Sequence, residues 1–536
     1  MKCISDLGNF SFNNLGTGVE RTTSPSDENR TTKIFILIII FFLSNLNLKS
    51  QNKLDSIVYQ KKRIEFEISD IDRNFWIKES NKNFLILKDE ENGKNLNWYF
   101  KFYNQKLNLI NDTIIFLDRS YSLKKISSNK DYYNFFYKKN YSNEKEYFFL
   151  RLNPLSNSII RKEIELPLSL TIRNVLFFND NIILLGNLKN GKNLVSVYNI
   201  STGQLNNIYE FLYYDNKIID IHKNNDLSFY VLVNKENINN LKVIERKNYS
   251  LNRDNLNSYL IESINNSIIQ SKTISVDNKD FYISLVGRKN SNEANGFQIN
   301  IVDQNSNVIS KKFNFLDITQ LKNYFKNENR LLKKQIEKKQ IEKLKLGYEF
   351  YIDTLFIENN EIHFSIESLK ANFNNDGFSN YSYMPFYNSF TGRYDKKVNP
   401  KFGGFSHEIN VYIILDFDGN IIWASIKKID DLITFYNKPY KNYILRDDHL
   451  IDFYINKGKI TLSKTEFQNS SNVNNTILDL NIDGNNIVLK SETNPEGIIN
   501  WYDNNYLTYG VQNMKRRGSS KIGFKRVFYI SNFEIH

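Results

Sequence analysis

Apolar and polar residues alternate in short runs along most of the chain, and clusters of Asn, Asp and Gly separate the runs. The clearest example is Val411–Lys427, in which two apolar runs flank the turn sequence Asp416–Asn420. Strict alternation is typical of half-buried strands, and Asp, Asn and Gly tolerate the left-handed backbone that a tight reversal requires. The pattern therefore predicts a β-hairpin.

The same unit recurs from Ser56 onward, at first about every fifty residues. Polar turns join the paired apolar runs and begin at residues 104, 153, 199, 248, 303, 416 and 483. A further strand pair precedes several of them, as in Val175–Phe178 with Ile182–Leu185. Four short strands in each such interval are the signature of a β-propeller blade. The sequence predicts an all-β fold, namely a single β-propeller with seven blades, with six or eight blades as the alternatives.

Both ends of this repeated region carry strand patterns. An unpaired sheet edge promotes aggregation, so propellers commonly complete one blade with strands from both termini. We therefore expect Ser56–Ile68 to pair with Arg526–Ile535.

The long interval between the turns at 303 and 416 predicts two insertions. Residues 316–346 are helical, with Leu321, Phe325 and Ile336 in an apolar stripe. The Lys- and Glu-rich remainder of the helix predicts a solvated face, with binding to a membrane surface as the alternative. Residues 371–407 are rich in Asn, Tyr, Phe and Gly and predict a long ordered loop. Long loops on a rigid scaffold are where binding usually resides.

Residues 1–50 differ from the rest of the chain. The first 32 are polar and aperiodic, and ten consecutive apolar residues, Ile34–Leu43, follow Lys33. A run of this length is short for a bilayer span and is typical of the apolar region of a signal peptide. We expect cleavage after Ser50 and an exported protein, periplasmic or at the cell surface, formed by residues 51–536. The alternative is an uncleaved anchor, through which alone the chain would be held to a membrane.

Composition favours strands and limits the classes of partner. Aromatic residues make up 14% of the chain, whereas Gly (21) and Pro (7) are scarce, so Asn supplies many turns. The formal charge of +12 comes from dispersed Lys, while nucleic-acid binders cluster basic residues on one face. We therefore predict no nucleic-acid partner. The only cysteine, Cys3, precedes the apolar run, which excludes disulfides and Cys-ligated metals from the propeller.

Four tyrosines in the second insertion are candidates for ligand binding: Tyr381, Tyr383, Tyr387 and Tyr394. Tyr supplies a large contact area at low entropic cost, so these side chains could form an aromatic platform for a glycan or a peptide. Packing of the insertion onto the propeller is the alternative.

His407 and Glu408 stand where the second insertion meets the hairpin described first. A His beside a carboxylate could act as a general base or ligate a metal, and we include both residues in the binding hypothesis. No second His lies at ligand spacing, so a structural role is the other interpretation.

Asp479, Asn481 and Asp483 match the start of a calcium-binding loop. The match then fails, because Lys490 occupies the twelfth position, where a bidentate Glu is needed. We prefer a hairpin and keep a weak calcium site as the alternative. No Walker loop, nucleophile elbow, HExxH or dinucleotide-binding glycine pattern is present, so we predict no cofactor.

The last third of the chain resembles an uncharacterised family of exported bacterial proteins. Ser406–Lys427 is similar to that family's His-containing strand and FDxxGxxxW hairpin. Asn500–Gln512 resembles its WYxNYFLxYGxQ stretch, and Val527–Ile530 its terminal VFYI strand. The resemblance implies an envelope protein with a propeller-like body and implies no particular activity.

Together these features predict a non-enzymatic binding or scaffolding propeller of the bacterial cell envelope, whose partner is an envelope protein or polysaccharide. The first alternative is a hydrolase or lyase that acts on envelope glycans in the central funnel, which is an analogy from the fold. The second is a calcium-dependent adhesin.

Overall fold

Short antiparallel sheets follow one another along the chain in the computed structural model. Residues 60–535 form one structural unit. The structure describes residues 58–536 except for 70–71, 81, 130–131, 141–144, 213–216, 225–227, 237–241, 262–266, 278, 289–292, 304–306, 329, 338–345, 347, 374–383, 389–392, 399–401, 435–439, 468–472, 481–485 and 517–524.

The first strand, β1 (Val58–Glu67), precedes five sheets that each consist of four consecutive strands. Blade 1 contains β2 (Asp72–Ser80), β3 (Asn83–Asn92), β4 (Asn95–Tyr103) and β5 (Leu109–Asp118). Blade 2 contains β6 (Tyr121–Ser128), β7 (Tyr133–Lys139), β8 (Glu146–Asn153) and β9 (Ser158–Glu165), and blade 3 contains β10 (Leu170–Phe177), β11 (Asn181–Leu188), β12 (Asn193–Asn199) and β13 (Leu205–Ile208). Blade 4 contains β14 (Lys217–Lys223), β15 (Phe229–Glu236), β16 (Lys242–Tyr249) and β17 (Asn255–Ile261), and blade 5 contains β18 (Ser267–Val276), β19 (Lys279–Gly287), β20 (Ala294–Val302) and β21 (Val308–Asn314).

Of the remaining three blades, blade 7 keeps this pattern, whereas blades 6 and 8 depart from it. Blade 6 contains β22 (Glu349–Glu358), β23 (Glu361–Phe373), β26 (Phe402–Leu415) and β27 (Ile421–Lys428), with β28 (Ile433–Thr434) beside β26 and a separate hairpin of β24 (Met384–Asn388) and β25 (Arg393–Val398). Blade 7 contains β29 (Asn442–Leu445), β30 (His449–Asn456), β31 (Lys459–Glu466) and β32 (Val473–Asp479). Blade 8 contains β33 (Asn486–Tyr502), β34 (Asn505–Arg516), β35 (Lys525–Ile535) and, beside β35, β1.

The fold is thus an all-β propeller, as predicted, but it has eight blades and the prediction of seven was wrong. The error arose at the turn that begins near residue 483, which was interpreted as a hairpin within a blade. It joins β32, the last strand of blade 7, to β33, the first strand of blade 8. Connections within and between blades are both short and polar here, so the sequence pattern does not distinguish them.

The first strand of each blade lies innermost, because the first strands of neighbouring blades contact one another. Fourth strands such as β9 and β17 are largely exposed. In most blades the register of the first strand shifts at a β-bulge, as between Ile268 and Gln270 in β18. Side chains then bond to the neighbouring first strand: Arg173 donates to Ile218 O at 3.0 Å, and Ile352 N–H donates to Gln270 Oε1 at 2.8 Å.

The apolar core is divided among the interfaces between blades. Blades 1 and 2 meet through aromatic side chains, where Phe100 packs edge-on against Phe135 at 4.9 Å and Trp98 against Tyr137 at 5.0 Å. Edge-to-face pairs of this kind add stability beyond the area they bury. Each blade is therefore a wedge that is held by its two neighbours.

The first insertion contains two helices, α1 (Thr319–Glu328) and α2 (Arg330–Glu337). Leu321, Phe325 and Ile336 are buried in the core between blades 5 and 6. No helix in the described ranges is both long and apolar enough to cross a bilayer.

Adjacent innermost strands run in the same direction, because the C-terminal ends of β2 and β6 lie together. The Ser80 hydroxyl donates to Asn129 O, and the Ser128 hydroxyl donates to Glu79 O at 2.5 Å. Because strands alternate in direction within a blade, first-to-second and third-to-fourth turns lie on one face of the ring. The connections from second to third strands lie on the other face. The β24–β25 hairpin, which connects β23 to β26, therefore extends from the second of these faces.

The ring is closed by β1, which is the outermost strand of blade 8 and pairs with β35 as predicted. Ile68 N–H donates to Arg526 O at 2.9 Å, and the Arg63 guanidinium lies 4.3 Å over the ring of Tyr529. Ile64 and Phe66 pack against the core that joins blades 8 and 1.

Deleting residues 1–68 removes β1 and exposes the backbone edge of β35. We expect the free energy of unfolding to fall by about 3 to 6 kcal/mol, because Ile64 and Phe66 lose their packing. Urea denaturation measures this change, and light scattering should detect self-association through the new edge. Deletion of residues 1–55, which retains β1, is the matched control. Equal stability of the two truncated proteins would contradict the closure role of β1.

Candidate functional site

The interface between blades 4 and 5 changes from apolar to polar along its length. Ile244 of blade 4 packs with Ile268 and Val286 of blade 5 in the apolar part. Toward the turns that follow β14 and β18, the side chains become Asn, Ser, Thr and Asp around a buried arginine, Arg246. A buried cation costs free energy unless it is paired, so its partners define the site.

Arg246 is held by four hydrogen bonds to side chains. Its Nε–H donates to Asn248 Oδ1 at 3.0 Å, and Nη2 donates to Asn224 Oδ1 at 3.1 Å. Nη1 donates to Asp280 Oδ2 and to the Tyr282 hydroxyl, each at 2.8 Å. Burial opposes the charge, but Tyr282 and Asp280 outweigh it and raise the pKa of Arg246. The side chain is therefore a fixed cation.

Arg246 also fixes the orientation of a chain of polar side chains. Because a guanidinium only donates, Asn248 turns its oxygen toward Arg246 and its Nδ2 toward Asn257, whose oxygen accepts. Asn257 Nδ2 then donates to the Tyr259 hydroxyl at 2.8 Å. Because the Tyr259 hydroxyl oxygen accepts this hydrogen bond, its proton can be donated to a group in the cleft that it lines. We call this chain, Arg246–Asn248–Asn257–Tyr259, the amide relay.

The amide relay forms one wall of a cleft with a volume of about 500 Å³. Thr273, Ser275 and Asp280 of blade 5 form the opposite wall, and exposed Leu256 lies at the edge. This volume is within the range of ligand sites, which is roughly 300 to 1,000 Å³. The lining is dominated by amides and hydroxyls, groups that recognise polar, hydroxyl-rich ligands.

The described residues that line the cleft include no arrangement of nucleophile and base. The carboxylate among these described residues, on Asp280, accepts hydrogen bonds from Arg246 and from the Ser275 hydroxyl. Such a carboxylate is poorly suited to abstract a proton, because each of its oxygens already accepts a hydrogen bond.

His407 and Glu408 lie on β26, but they point to opposite sides, as consecutive strand residues do. His407 is 1% exposed, and its carboxylate partner is Glu367 on β23. Glu408 is half-buried and accepts a hydrogen bond from the Ser406 hydroxyl at 2.8 Å. The two residues singled out by the sequence therefore do not act as a pair.

His407 belongs to a buried arrangement of a hydroxyl, an imidazole and a carboxylate. Its Nδ1 contacts Glu367, which leaves Nε2 to accept from the Thr434 hydroxyl at 2.9 Å. The second oxygen of Glu367 accepts from Tyr440 N–H at 3.2 Å. Gly404, at a φ of 106°, allows β28 to approach, since a Cβ there would lie 2.8 Å from Thr434 O. The connectivity is that of a catalytic triad, but Thr434 is only 5% exposed.

The aromatic platform and the calcium loop fall largely outside the described residues. Tyr381 and Tyr383 lie outside them, as do Asn481 and Asp483. Tyr387 and Tyr394 are paired opposite each other across the hairpin of β24 and β25. The described residues contain no cluster of three or more His, Cys, Asp or Glu side chains that could hold a metal ion. Asp479, the third residue of the predicted calcium site, is the last residue of β32. It is exposed and forms an ion pair with Lys459 at 3.1 Å.

A buried carboxylate also links blade 6 to blade 7. Asp452 is 1% exposed and accepts hydrogen bonds from Lys427 and, at 2.7 Å, from Lys441. Burial opposes its ionisation, but the two lysines outweigh burial and lower the pKa of Asp452. Burial lowers the pKa of Lys427. The blade 6–blade 7 interface is therefore partly ionic.

Glu496 of β33 holds blade 7 to blade 8. Its carboxylate accepts from Lys457 N–H at 2.9 Å and Gly458 N–H at 2.6 Å, at the turn between β30 and β31. Glu496 is 5% exposed, and burial raises its pKa to about 7 although these two hydrogen bonds lower it.

Sequence reasoning missed the cleft, although one signal was present. Arg246 and Asn248 lie on the same face of β16 as Ile244, because side chains two residues apart in a strand point to the same side. In a third strand, the positions that face the neighbouring blade should be apolar. Polar residues in such positions must be paired, and their partners mark a polar pocket. Those partners, Asn224 and Asp280, are 22 and 34 residues away in sequence.

Comparisons with known proteins find only distant structural similarities. No protein-family model matches the chain, and no curated protein matches it. Among solved structures, a prolyl endopeptidase aligns over 90% of this chain with 8% identity and a TM-score of 0.39, and the chain spans 60% of that protein's length. The WD40 domain of SCAP from fission yeast aligns over 88% of this chain and 97% of its own (9% identity, TM-score 0.38). The polysaccharide lyase Uly1 aligns over 77% and 90% (12% identity, TM-score 0.36).

Glu496 predicts a pH dependence of stability. Its pKa in the folded protein, about 7, lies above the ordinary value of 4.5, so the folded state binds the proton more tightly than the unfolded state does. Stability should therefore fall as the pH rises from about 4.5 to about 7 and stay low above that range. The fall should be up to about 3 kcal/mol. Glu496→Gln removes the titrating group, so it should abolish this fall. It should also lower the stability at pH 4.5, because its amide nitrogen cannot accept the second of the two backbone hydrogen bonds.

Denaturant unfolding at several pH values measures this effect. The matched control is Glu466→Gln, because Glu466 is an exposed carboxylate on the neighbouring β31. If Glu496→Gln destabilised the protein equally at both pH values, the carboxylate would not be the titrating group.

Proposed function

We propose that the protein is a non-enzymatic binding propeller and that its partner is a polysaccharide held in the cleft between blades 4 and 5. The observation that carries the proposal is the amide relay, which points a fixed series of donors and acceptors into a cleft of about 500 Å³. Preorganised polar groups bind without a further ordering cost, which favours affinity.

The form of the cleft favours a sugar over a protein partner. Specific protein interfaces bury about 800 Å² on each side and are centred on large apolar anchors. The cleft is concave, and amides and hydroxyls dominate its lining, which also includes the aromatic rings of Tyr230 and Tyr259. A pyranose ring presents hydroxyls at its rim and a C–H face that an aromatic ring can contact, and both features match these walls.

An envelope location completes the proposal. The support for it is the apolar run Ile34–Leu43 and the absence of cysteine after Cys3, both of which are compatible with export. Cell fractionation of the full-length protein tests it. Recovery with the cytosol, with residues 1–50 retained, would contradict export.

Removal of the Tyr259 hydroxyl tests the cleft as the binding site. We expect isothermal titration calorimetry to detect binding to at least one soluble polysaccharide in a panel of dextran, mannan, alginate and polygalacturonate. Tyr259→Phe should then weaken binding about tenfold, because one hydrogen bond to the ligand is lost.

The chain offers a matched control in blade 3. There Asn207 Nδ2 donates to the hydroxyl of Tyr209 at 3.2 Å, the same Asn-x-Tyr arrangement on an exposed strand end. This pair is not part of the cleft, so Tyr209→Phe should leave binding unchanged. Equal loss in both variants, or no loss in Tyr259→Phe, would contradict the proposed site.

A hydrolase is the second candidate, because Thr434, His407 and Glu367 have the connectivity of a catalytic triad.

If these three residues are catalytic, the protein should hydrolyse p-nitrophenyl acetate or release acetate from an acetylated glycan. Thr434→Val should then lower the rate of hydrolysis at least a hundredfold. The control is Thr461→Val, because Thr461 is a threonine on a different strand, β31. The same slow hydrolysis in both variants and the native protein would assign the three residues a structural role.

A further inference from the structure

We infer that the cleft between blades 4 and 5 selects neutral sugar residues and rejects uronates, and that Asp280 imposes this selection. The inference deepens the proposed function and rests on it, since it names the class of sugar that the same site takes.

The charges of the cleft are arranged with the anion on the outside. The Arg246 side chain is 6% exposed and the Asp280 side chain 23% exposed, with 2.8 Å between Nη1 and Oδ2. Arg246 therefore cannot meet a ligand carboxylate except past the carboxylate of Asp280. The cation is also covered on one side by the ring of Tyr230, 4.1 Å from the guanidinium carbon.

The other cation at the cleft is directed away from it. Lys223 belongs to the lining, but its Nζ lies 4.7 Å over the ring of Phe178, which packs in the core between blades 3 and 4. Among the described residues that line the cleft, the charged group that faces a ligand between the two walls is therefore the Asp280 carboxylate. A uronate in the cleft would bring a second carboxylate close to Asp280 without a cation of its own.

The hydrogen-bonding groups match a neutral diol. Tyr259 offers a proton at the end of the amide relay, so it requires an acceptor on the ligand. Asp280 is an acceptor only, and its oxygens retain lone pairs beside the Arg246 and Ser275 hydrogen bonds, so it requires a donor. A sugar hydroxyl can serve as either, whereas a carboxylate cannot donate. Neutral sugars therefore satisfy both walls.

The test uses one polymer in two forms: polygalacturonate, and the same polymer after chemical reduction of its carboxyl groups to primary alcohols. The two forms share linkage and length and differ in charge. We expect the native protein to bind the reduced form at least ten times more tightly in calorimetric titrations at an ionic strength of about 0.15 M, which screens the long-range attraction between the positively charged protein and the polyanion. Added salt should narrow the difference, because it screens the repulsion.

Asp280→Asn reports on the origin of the selection. The amide oxygen can still accept from Arg246, but the buried cation is no longer neutralised, so the preference for the reduced polymer should fall by at least tenfold. The matched control is Asp277→Asn, which makes the same change of charge at an exposed position in the turn before β19 and should keep the native preference. Melting curves of both variants establish that they fold.

The outcomes separate this inference from the proposed function. Equal binding of both polymers by the native protein, or an unchanged preference in folded Asp280→Asn, overturns the selection and leaves the polysaccharide site in place. A preference for polygalacturonate itself also overturns it. Failure of the native protein to bind any polysaccharide, reduced or not, overturns the proposed function together with this inference.

Discussion

The pairing of β1 with β35 is the contact on which the propeller depends. Each blade buries its two apolar faces only against its neighbours, so the ring has no common core that could hold it together if it opened. An open ring would expose the faces of blades 1 and 8 at once, including the packing of Phe75 against Phe528 at 4.3 Å. Closure by strands from both ends of the chain makes every blade interface depend on the others.

Several buried charged groups lie at the interfaces between blades, within an otherwise largely apolar core. Arg246, Asp452 and Glu496 each lie at such an interface, and each is paired by groups from the adjoining blade. Pairing across an interface fixes the relative position of two blades more strictly than apolar contacts do, because hydrogen bonds are directional. At blades 4 and 5 the same requirement leaves a cleft whose walls carry oriented amides. Structural pairing and the polar lining of the cleft thus have one origin here.

The sequence predicted strands and turns well, but it did not predict which side chains that are distant in sequence contact each other. The alternation around Asp416 is a hairpin, closed by Asp416 N–H to Asn420 O at 3.0 Å, because turn residues and period-two alternation act over a few positions. Blade 8 was missed because the connection from β32 to β33 uses the same residues as a turn within a blade. His407 was correctly seen as unusual, yet its partner is Glu367 across the sheet and not adjacent Glu408, since register decides which side chains meet.

The two faces of the ring differ in what they carry. The cleft opens where first strands turn into second strands, whereas the β24–β25 hairpin extends from the opposite face. A molecule bound on one side consequently leaves the other side unobstructed. Two separate contacts, one at each end of the ring axis, are therefore compatible with this architecture.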